Sequence, residues 1–184
     1  MMKLIYDAGH GGRDPGAGSG TICESDIALA VVLSMDSITR ISHPEWDVVL
    51  TRCTDVYMSP SARRRMCMLE EPSAFVSIHC NAADSAKANG FEVIYREQDD
   101  YNLGIMIEEV FLQEFPTVKK RGLKHDLKDL GRDLAVLSTP GITSIIVELG
   151  FITSPVDIIL LQKTSDIATA IIKGIERWVE IFGG

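Results

Sequence analysis

No two of the four cysteines, Cys23, Cys53, Cys67 and Cys80, form a C-x-x-C pair. A disulfide framework or a cysteine-rich structural zinc site shows closely paired ligands, so these read as reduced, mostly buried thiols. No stretch approaches about 18 uncharged apolar residues, and no membrane-spanning helix is expected. The first eight residues carry a lysine and read as a strand. They lack the long apolar core of a signal peptide, so the chain as given is expected to be made in the cytoplasm without a secretion signal. Basic residues are also scarce, with 18 Lys and Arg against 26 Asp and Glu and a formal charge of -8. Long-range repulsion then disfavours nucleic acid and anionic membranes as general partners. There is no internal repeat and no low-complexity segment.

What is present suits one well-buried core: 184 residues, 46% of them hydrophobic, read as a single domain over 1–184. The opening run Leu4-Ile5-Tyr6-Asp7-Ala8 feeds Gly9-His10 and a turn-rich segment, with five glycines and a proline between residues 9 and 18. A rigid strand therefore presents His10 where the backbone turns away. The spacing is neither G-x-G-x-x-G nor a loop ending in Gly-Lys-Ser/Thr, which counts against a phosphate cradle.

Residues 26–41 follow as a helix, with Ile27, Val31, Met35 and Ile38 on one stripe and Ser25 or a neighbour as cap. Residues 46–52 read as a second strand, completing a βαβ unit of a parallel sheet. Ser59-Pro60 opens a helix to about residue 71. It carries Arg63, Arg64 and Arg65, which read as a solvated face unless an internal carboxylate or substrate fixes one of them. Residues 74–79 repeat the first motif, an apolar run ending in His79. A strand nearer the sheet edge is expected at 90–96 and a helix at 100–115. Residues 116–132 read as a long basic irregular connection, functional or mobile, with His125 at the surface. Strands at 134–137 and 143–151 are expected next. A short helix capped by Ser154 then runs to about residue 162, and a long final helix is capped by Thr164 or Ser165.

Three predicted strands carry His10, His79 and Glu148 at or near their ends. Ligands bind at the carboxyl edge of parallel strands, so these groups are expected to converge there. Glu24 starts the first crossover near that edge. Local pattern reads it as an acid favoured by the helix dipole. Glu148 interrupts a buried run, and burying a carboxylate costs several kcal/mol unless it is paired or metal-linked. Its structural alternative is pairing with Arg52 or Arg65. Two histidines and a carboxylate hold Zn²⁺ with a position left for water, and a nearby glutamate can move a proton. The parts describe a metal-assisted hydrolase.

The segments that carry a family likeness are Asp7-Ala8-Gly9-His10-Gly11-Gly12-Arg13-Asp14-Pro15-Gly16-Ala17, Glu24, Leu50-Thr51-Arg52 with Asp55, and Ser77-Ile78-His79-Cys80-Asn81-Ala82. Gly90-Phe91-Glu92, Arg121-Gly122-Leu123-Lys124, Leu134-Ala135-Val136-Leu137 and Val147-Glu148-Leu149-Gly150-Phe151-Ile152 continue the series. In that order the chain resembles the zinc-dependent N-acetylmuramoyl-L-alanine amidases of the amidase-3 type, which cut peptidoglycan between the muramic acid lactyl group and L-alanine. The resemblance implies a single α/β domain with a mostly parallel six-stranded sheet flanked by helices on both faces. It implies one Zn²⁺ on His10, Glu24 and His79, with Glu148 as catalytic acid/base, and so replaces the dipole reading of Glu24. The expected partner is bacterial peptidoglycan, and the expected setting is a phage or prophage endolysin released to the wall at lysis. A wall-binding domain could follow residue 184. Ser154-Pro155 stands where the family commonly has asparagine-proline, which should matter only to helix capping. A longer 125–133 stretch departs from the family pattern in a way that bears on the groove beside the metal and on substrate preference. The rival readings are a zinc peptidase acting within the stem peptide and a non-catalytic wall-binding module.

Overall fold

The computed structural model describes residues 2–183. Its elements are β1 (Lys3–Ala8), a two-stranded ribbon of β2 (Gly18–Ser19) and β3 (Ile22–Cys23), α1 (Glu24–Ser42), β4 (Asp47–Leu50) and α2 (Pro60–Glu70). There follow β5 (Ala74–Asn81), β6 (Phe91–Tyr95), α3 (Gln98–Glu114), β7 (Lys120–His125), β8 (Thr143–Phe151), α4 (Asp157–Leu161) and α5 (Thr164–Phe182). Six strands make one sheet in the order β4-β1-β5-β8-β6-β7. All neighbours are parallel except the antiparallel pair β6 and β8.

Side chains alternate across a strand, and here the alternation divides the core in two. Leu4, Tyr6 and Ala8 of β1, Val76 and Ile78 of β5, and Ile145 and Val147 of β8 join the larger cluster, which includes buried residues of α1, α3 and α5. Ile5, Phe75, Ile94 and Ile146 face the other way, into a smaller cluster with Cys67 of α2 and with Val136 and Leu137. Burying each aliphatic side chain is worth about 1.5–3 kcal/mol, so the thick face supplies most of the hydrophobic stabilisation. The thinly covered face has room for polar groups. Asp7, Ser77, His79, Glu148 and Glu92 all fall on it by the same alternation.

The sheet and its six strands match the expectation, but one strand is a different segment. Residues 134–137 form a 3-10 turn over Ala135–Leu137. Val136 and Leu137 are consecutive and both enter the smaller cluster, which a strand's alternation forbids. The sixth strand is β7, inside the segment expected to be irregular. It lies on the sheet edge, where polar residues are tolerated, so no apolar pattern marks it. His125 at its end is buried, contrary to the surface expectation. Its Nδ1 accepts the N–H of Leu127 at 3.2 Å.

Caps also differ. α1 begins at Glu24, and Ser25 is inside it rather than capping it. The N–H groups of Glu24 and Ser25 donate instead to the carbonyls of Ala17 and Pro15, at 2.8 and 3.1 Å. Neither Thr164 nor Ser165 caps α5, whose N-cap is Lys163. Ser59 caps α2 as expected, accepting from the N–H of Ala62.

Candidate active site

Because β1, β5 and β8 run parallel, their carboxyl ends share one edge. His10 stands two residues past β1, and His79 lies directly across from Glu148 in the β5–β8 register. Antiparallel β6 brings its amino end to the same edge, with Glu92 opposite Glu148. Glu24, the first residue of α1, enters from the crossover.

Three of these groups converge. His10 Nε2 lies 3.1 Å and His79 Nδ1 2.8 Å from the same oxygen, Glu24 Oε1. That oxygen also accepts the N–H of Cys80 at 3.1 Å, and Glu24 Oε2 accepts the N–H of Ala17 at 3.0 Å. His10 Nδ1 donates to Asp14 Oδ2 at 2.9 Å, which fixes the ring and leaves Nε2 for the cluster. One ligand atom from each of the three residues lies within 4.8 Å of the others. Donors bonded at about 2.0–2.2 Å to one tetrahedral ion stand roughly 3.3 Å apart, so small shifts would admit Zn²⁺. The donor set of two imidazoles and a carboxylate suits that ion. Among the described residues it is the one cluster of three or more His, Cys, Asp or Glu able to hold a metal.

The three groups are also coupled electrostatically. The hydrogen bond with Glu24 raises His10 to about 9 against the opposing effect of burial. Burial alone would raise Glu24, but His10 and His79 together hold its carboxyl well below the usual range. Glu148 is different: burial pushes it up to about 7, and its Oε2 is buried without a hydrogen-bond partner. Neither Arg52 nor Arg65 pairs with it. A half-buried carboxyl with one oxygen enclosed and unpartnered, beside such a cluster, has the environment of a proton-carrying group.

Two buried arginines hold the loop that presents His10. Arg52 donates to the carbonyls of Ala8 at 3.0 Å, Gly9 at 2.9 Å, Ser25 at 2.8 Å and Thr54 at 3.2 Å. Arg63 donates to the carbonyl of His10 at 2.7 Å and pairs with Asp7. It is thus the one member of the arginine run fixed by an internal carboxylate. Asp7 also accepts from Thr51 Oγ1 at 2.6 Å and Ser77 Oγ at 2.5 Å. His10 itself is held at φ 57°, a conformation rare for a side-chain-bearing residue. The close approach needs glycine at two places. A Cβ on Gly9 would meet His79 Nε2 at 2.6 Å, and one on Gly16 would meet Glu24 Oε2 at the same distance.

A cavity of about 150 Å³ opens beside His10 and His79, walled by Met58, Pro60 and residues 134–136. Asp126 anchors that last wall: it accepts the N–H of Leu134 at 3.3 Å and pairs with Arg96. A larger cavity of about 570 Å³ lies elsewhere, between residues 96–100 and 137–143, and contains none of the four site residues.

Residues 4–177 match the Amidase_3 family, described as N-acetylmuramoyl-L-alanine amidase. The chain belongs to the Amidase_3 family. It is 34% identical over 182 residues to the endolysin of Bacillus phage SPP1, covering 95% of this chain and 65% of that protein. N-acetylmuramoyl-L-alanine amidase AmiC2 of Nostoc punctiforme is similar in structure, with a TM-score of 0.88, 30% identity and 97% of each chain covered. The CwlD amidase from Clostridioides difficile, solved in complex with the GerS lipoprotein, superposes with a TM-score of 0.90 at 28% identity, covering 98% of this chain and 100% of that one.

Within this Amidase_3 domain the structure brings His10, Glu24 and His79 together and sets Glu148 next to them. Three contributors carried no local signal of their own. Arg52 and Arg63 act through carbonyls, and Asp126 lies in a segment without periodicity. Among the described residues no helix is long and apolar enough to cross a membrane.

Proposed function

We propose that this chain hydrolyses the amide between the lactyl group of N-acetylmuramic acid and L-alanine in bacterial peptidoglycan. The observation that carries the reading is the convergence of His10, Glu24 and His79 beside a half-buried Glu148 whose Oε2 is buried without a partner, in an Amidase_3 domain. His10 Nε2, His79 Nδ1 and Glu24 would hold one Zn²⁺. When bound, that ion supplies Lewis acidity toward the amide carbonyl and lowers the pKa of water. Glu148 takes a proton from the attacking water and returns it to the nitrogen of L-alanine, because an amide anion is too poor a leaving group to depart unprotonated. Asp14 orients His10, while Arg52 and Arg63 keep its loop closed against the sheet. The likeness to the SPP1 endolysin supports action on the cell wall after release from the cell, with the described fold as the catalytic domain.

The test is to identify the new ends formed when the zinc-loaded protein is incubated with purified peptidoglycan, with a chelated sample alongside. New L-alanine amino termini without new reducing sugars, lost on chelation, are expected. Other amino termini would make the chain a peptidase within the stem peptide. No new ends would leave it a wall-binding module.

A further inference from the structure

Beyond Glu148 the polar row continues away from the metal-type cluster. Glu92, buried at 5% exposure, stands opposite Glu148 on β6. Its Oε1 accepts from Asn81 Nδ2 at 2.8 Å and its Oε2 from Arg121 Nε at 2.6 Å. Arg121 occupies an irregular position. Phe91 pairs with Lys120 and Glu92 with Gly122, so Arg121 is the extra residue of a bulge. Bulges beside active sites re-aim a side chain, and this one turns Arg121 back over β6. Its guanidinium lies 4.8 Å from the centroid of the Phe151 ring. Of its five N–H donors only Nε is used. The two terminal nitrogens make no hydrogen bond among the described residues, and the side chain is 30% exposed.

We propose that Arg121 binds a carboxylate on the peptide side of the scissile bond, within two residues of the leaving amine, with Glu92 as its positioning residue. The inference rests on the amidase reading above. If the carbonyl lies at the His10, Glu24 and His79 cluster and the leaving nitrogen at Glu148, the chain attached to that nitrogen continues along the same line toward Glu92. Reaching Glu92 places the guanidinium about one strand spacing, ~4.8 Å, beyond β8. An extended peptide covers that span in one to two residues at about 3.5 Å each. A part-exposed guanidinium with a free terminal edge offers two parallel N–H donors, the geometry that recognises a carboxylate. Glu92 holds the guanidinium through Nε, so the second carboxylate meets donors already oriented, and the selectivity comes from the paired N–H geometry more than from net charge.

The test uses two synthetic muramoyl-L-alanyl peptides that differ only in carboxylate against carboxamide on the residue after L-alanine. The zinc-loaded full chain is expected to prefer the carboxylate by at least tenfold in kcat/KM. In Arg121→Gln that ratio should fall toward one, with Arg121→Lys restoring part of it. A purely structural role would lower both substrates equally and leave the ratio standing. No preference in the wild type, or a ratio unchanged in Arg121→Gln, overturns the proposal. Calorimetric titration of the two free L-alanyl peptides separates the two readings. If neither muramoyl peptide is cut, the reaction assignment falls. Tighter binding of the carboxylate peptide that is lost in Arg121→Gln would still support the site, and equal binding would overturn it.

Discussion

The sharpest structural demand near the candidate metal site is the absence of a single carbon at Gly9. In Gly9→Ala the new Cβ would stand 2.6 Å from Nε2 and 2.7 Å from Nδ1 of His79, where ordinary contact is 3.4–4 Å. The φ of Gly9 is not among the positive values, so alanine is not strained by its backbone there and the effect is steric. The ring must retreat by about 1 Å. It cannot do so freely, because its Nδ1 is held 2.8 Å from Glu24 Oε1. Overpacking of this kind costs about 1–3 kcal/mol in stability. A displacement near 1 Å at a reacting centre lowers rate by about 100-fold. The variant should therefore unfold at lower denaturant, bind Zn²⁺ about 10–100-fold more weakly, and lose about 100-fold in activity at saturating metal. Gly131→Ala is the control: its φ is +61°, nothing lies within 4 Å of the added carbon, and it should cost only about 1–2 kcal/mol with metal binding unchanged. Zinc titration and denaturant unfolding of both variants provide the assay. Wild-type zinc affinity and activity in Gly9→Ala would refute the reasoning.

Three further outcomes are expected. Arg52→Lys should destabilise the fold by about 3 kcal/mol or more, because a lysine cannot serve the four carbonyls now held by one guanidinium and buried acceptors are left unpaired; chemical unfolding measures it, and a loss under 1 kcal/mol would contradict the clamp. Gly174→Ala places a Cβ 2.6 Å from Ile107 Cα and should push α5 off α3, lowering stability by about 1–3 kcal/mol without altering zinc stoichiometry; calorimetry and metal analysis test both halves. His43 ties the end of α1 to α5 through Glu176 Oε1 at 2.6 Å, with Glu45 also near. Burial lowers its pKa, but the two glutamates outweigh that and raise it above 6.5. Its stabilising contribution is then full below pH 6.5 and fades as pH rises through the folded value. The stability difference between the wild type and His43→Gln should shrink on that rise, and a gap that widens with pH would reverse the sign of the account.

Elements with strong apolar patterning were legible in the sequence, and those whose role is polar were not. β1, β5 and β8 are buried on both faces and appear as continuous apolar runs, so the strands could be read directly, with His10, His79 and Glu148 as the groups they carry to one edge, although β5 runs two residues past the expected end. β7 is an edge strand of mostly basic residue types with no such run. Residues 134–137 imitate a strand because Val136 and Leu137 are both apolar, yet consecutive burial on one face is a turn's signature. Glu24 shows how local and tertiary readings coexist: it does occupy the first turn of α1, where the dipole favours an acid, and its carboxylate is nonetheless held by two histidines. That convergence depends on the crossover returning its first turn to the strand edge, which spacing alone does not encode. Family resemblance supplied the assignment of the two glutamates to separate roles. Arg52 and Arg63 were the hardest to foresee, since each works through backbone carbonyls distant in sequence, and Asp126 because its partner Arg96 lies far along the chain and its own segment has no periodicity.

The central claim is that the strand edge divides its labour, with His10, Glu24 and His79 holding the metal and Glu148 moving the proton. It is tested most directly by measuring zinc content and hydrolysis of a muramoyl-L-alanyl peptide for Glu148→Gln beside the wild type. One zinc per chain in both, with the rate of the variant lower by about 100- to 10,000-fold, is the predicted result. A variant that keeps its rate, or one that loses its zinc, would contradict the division.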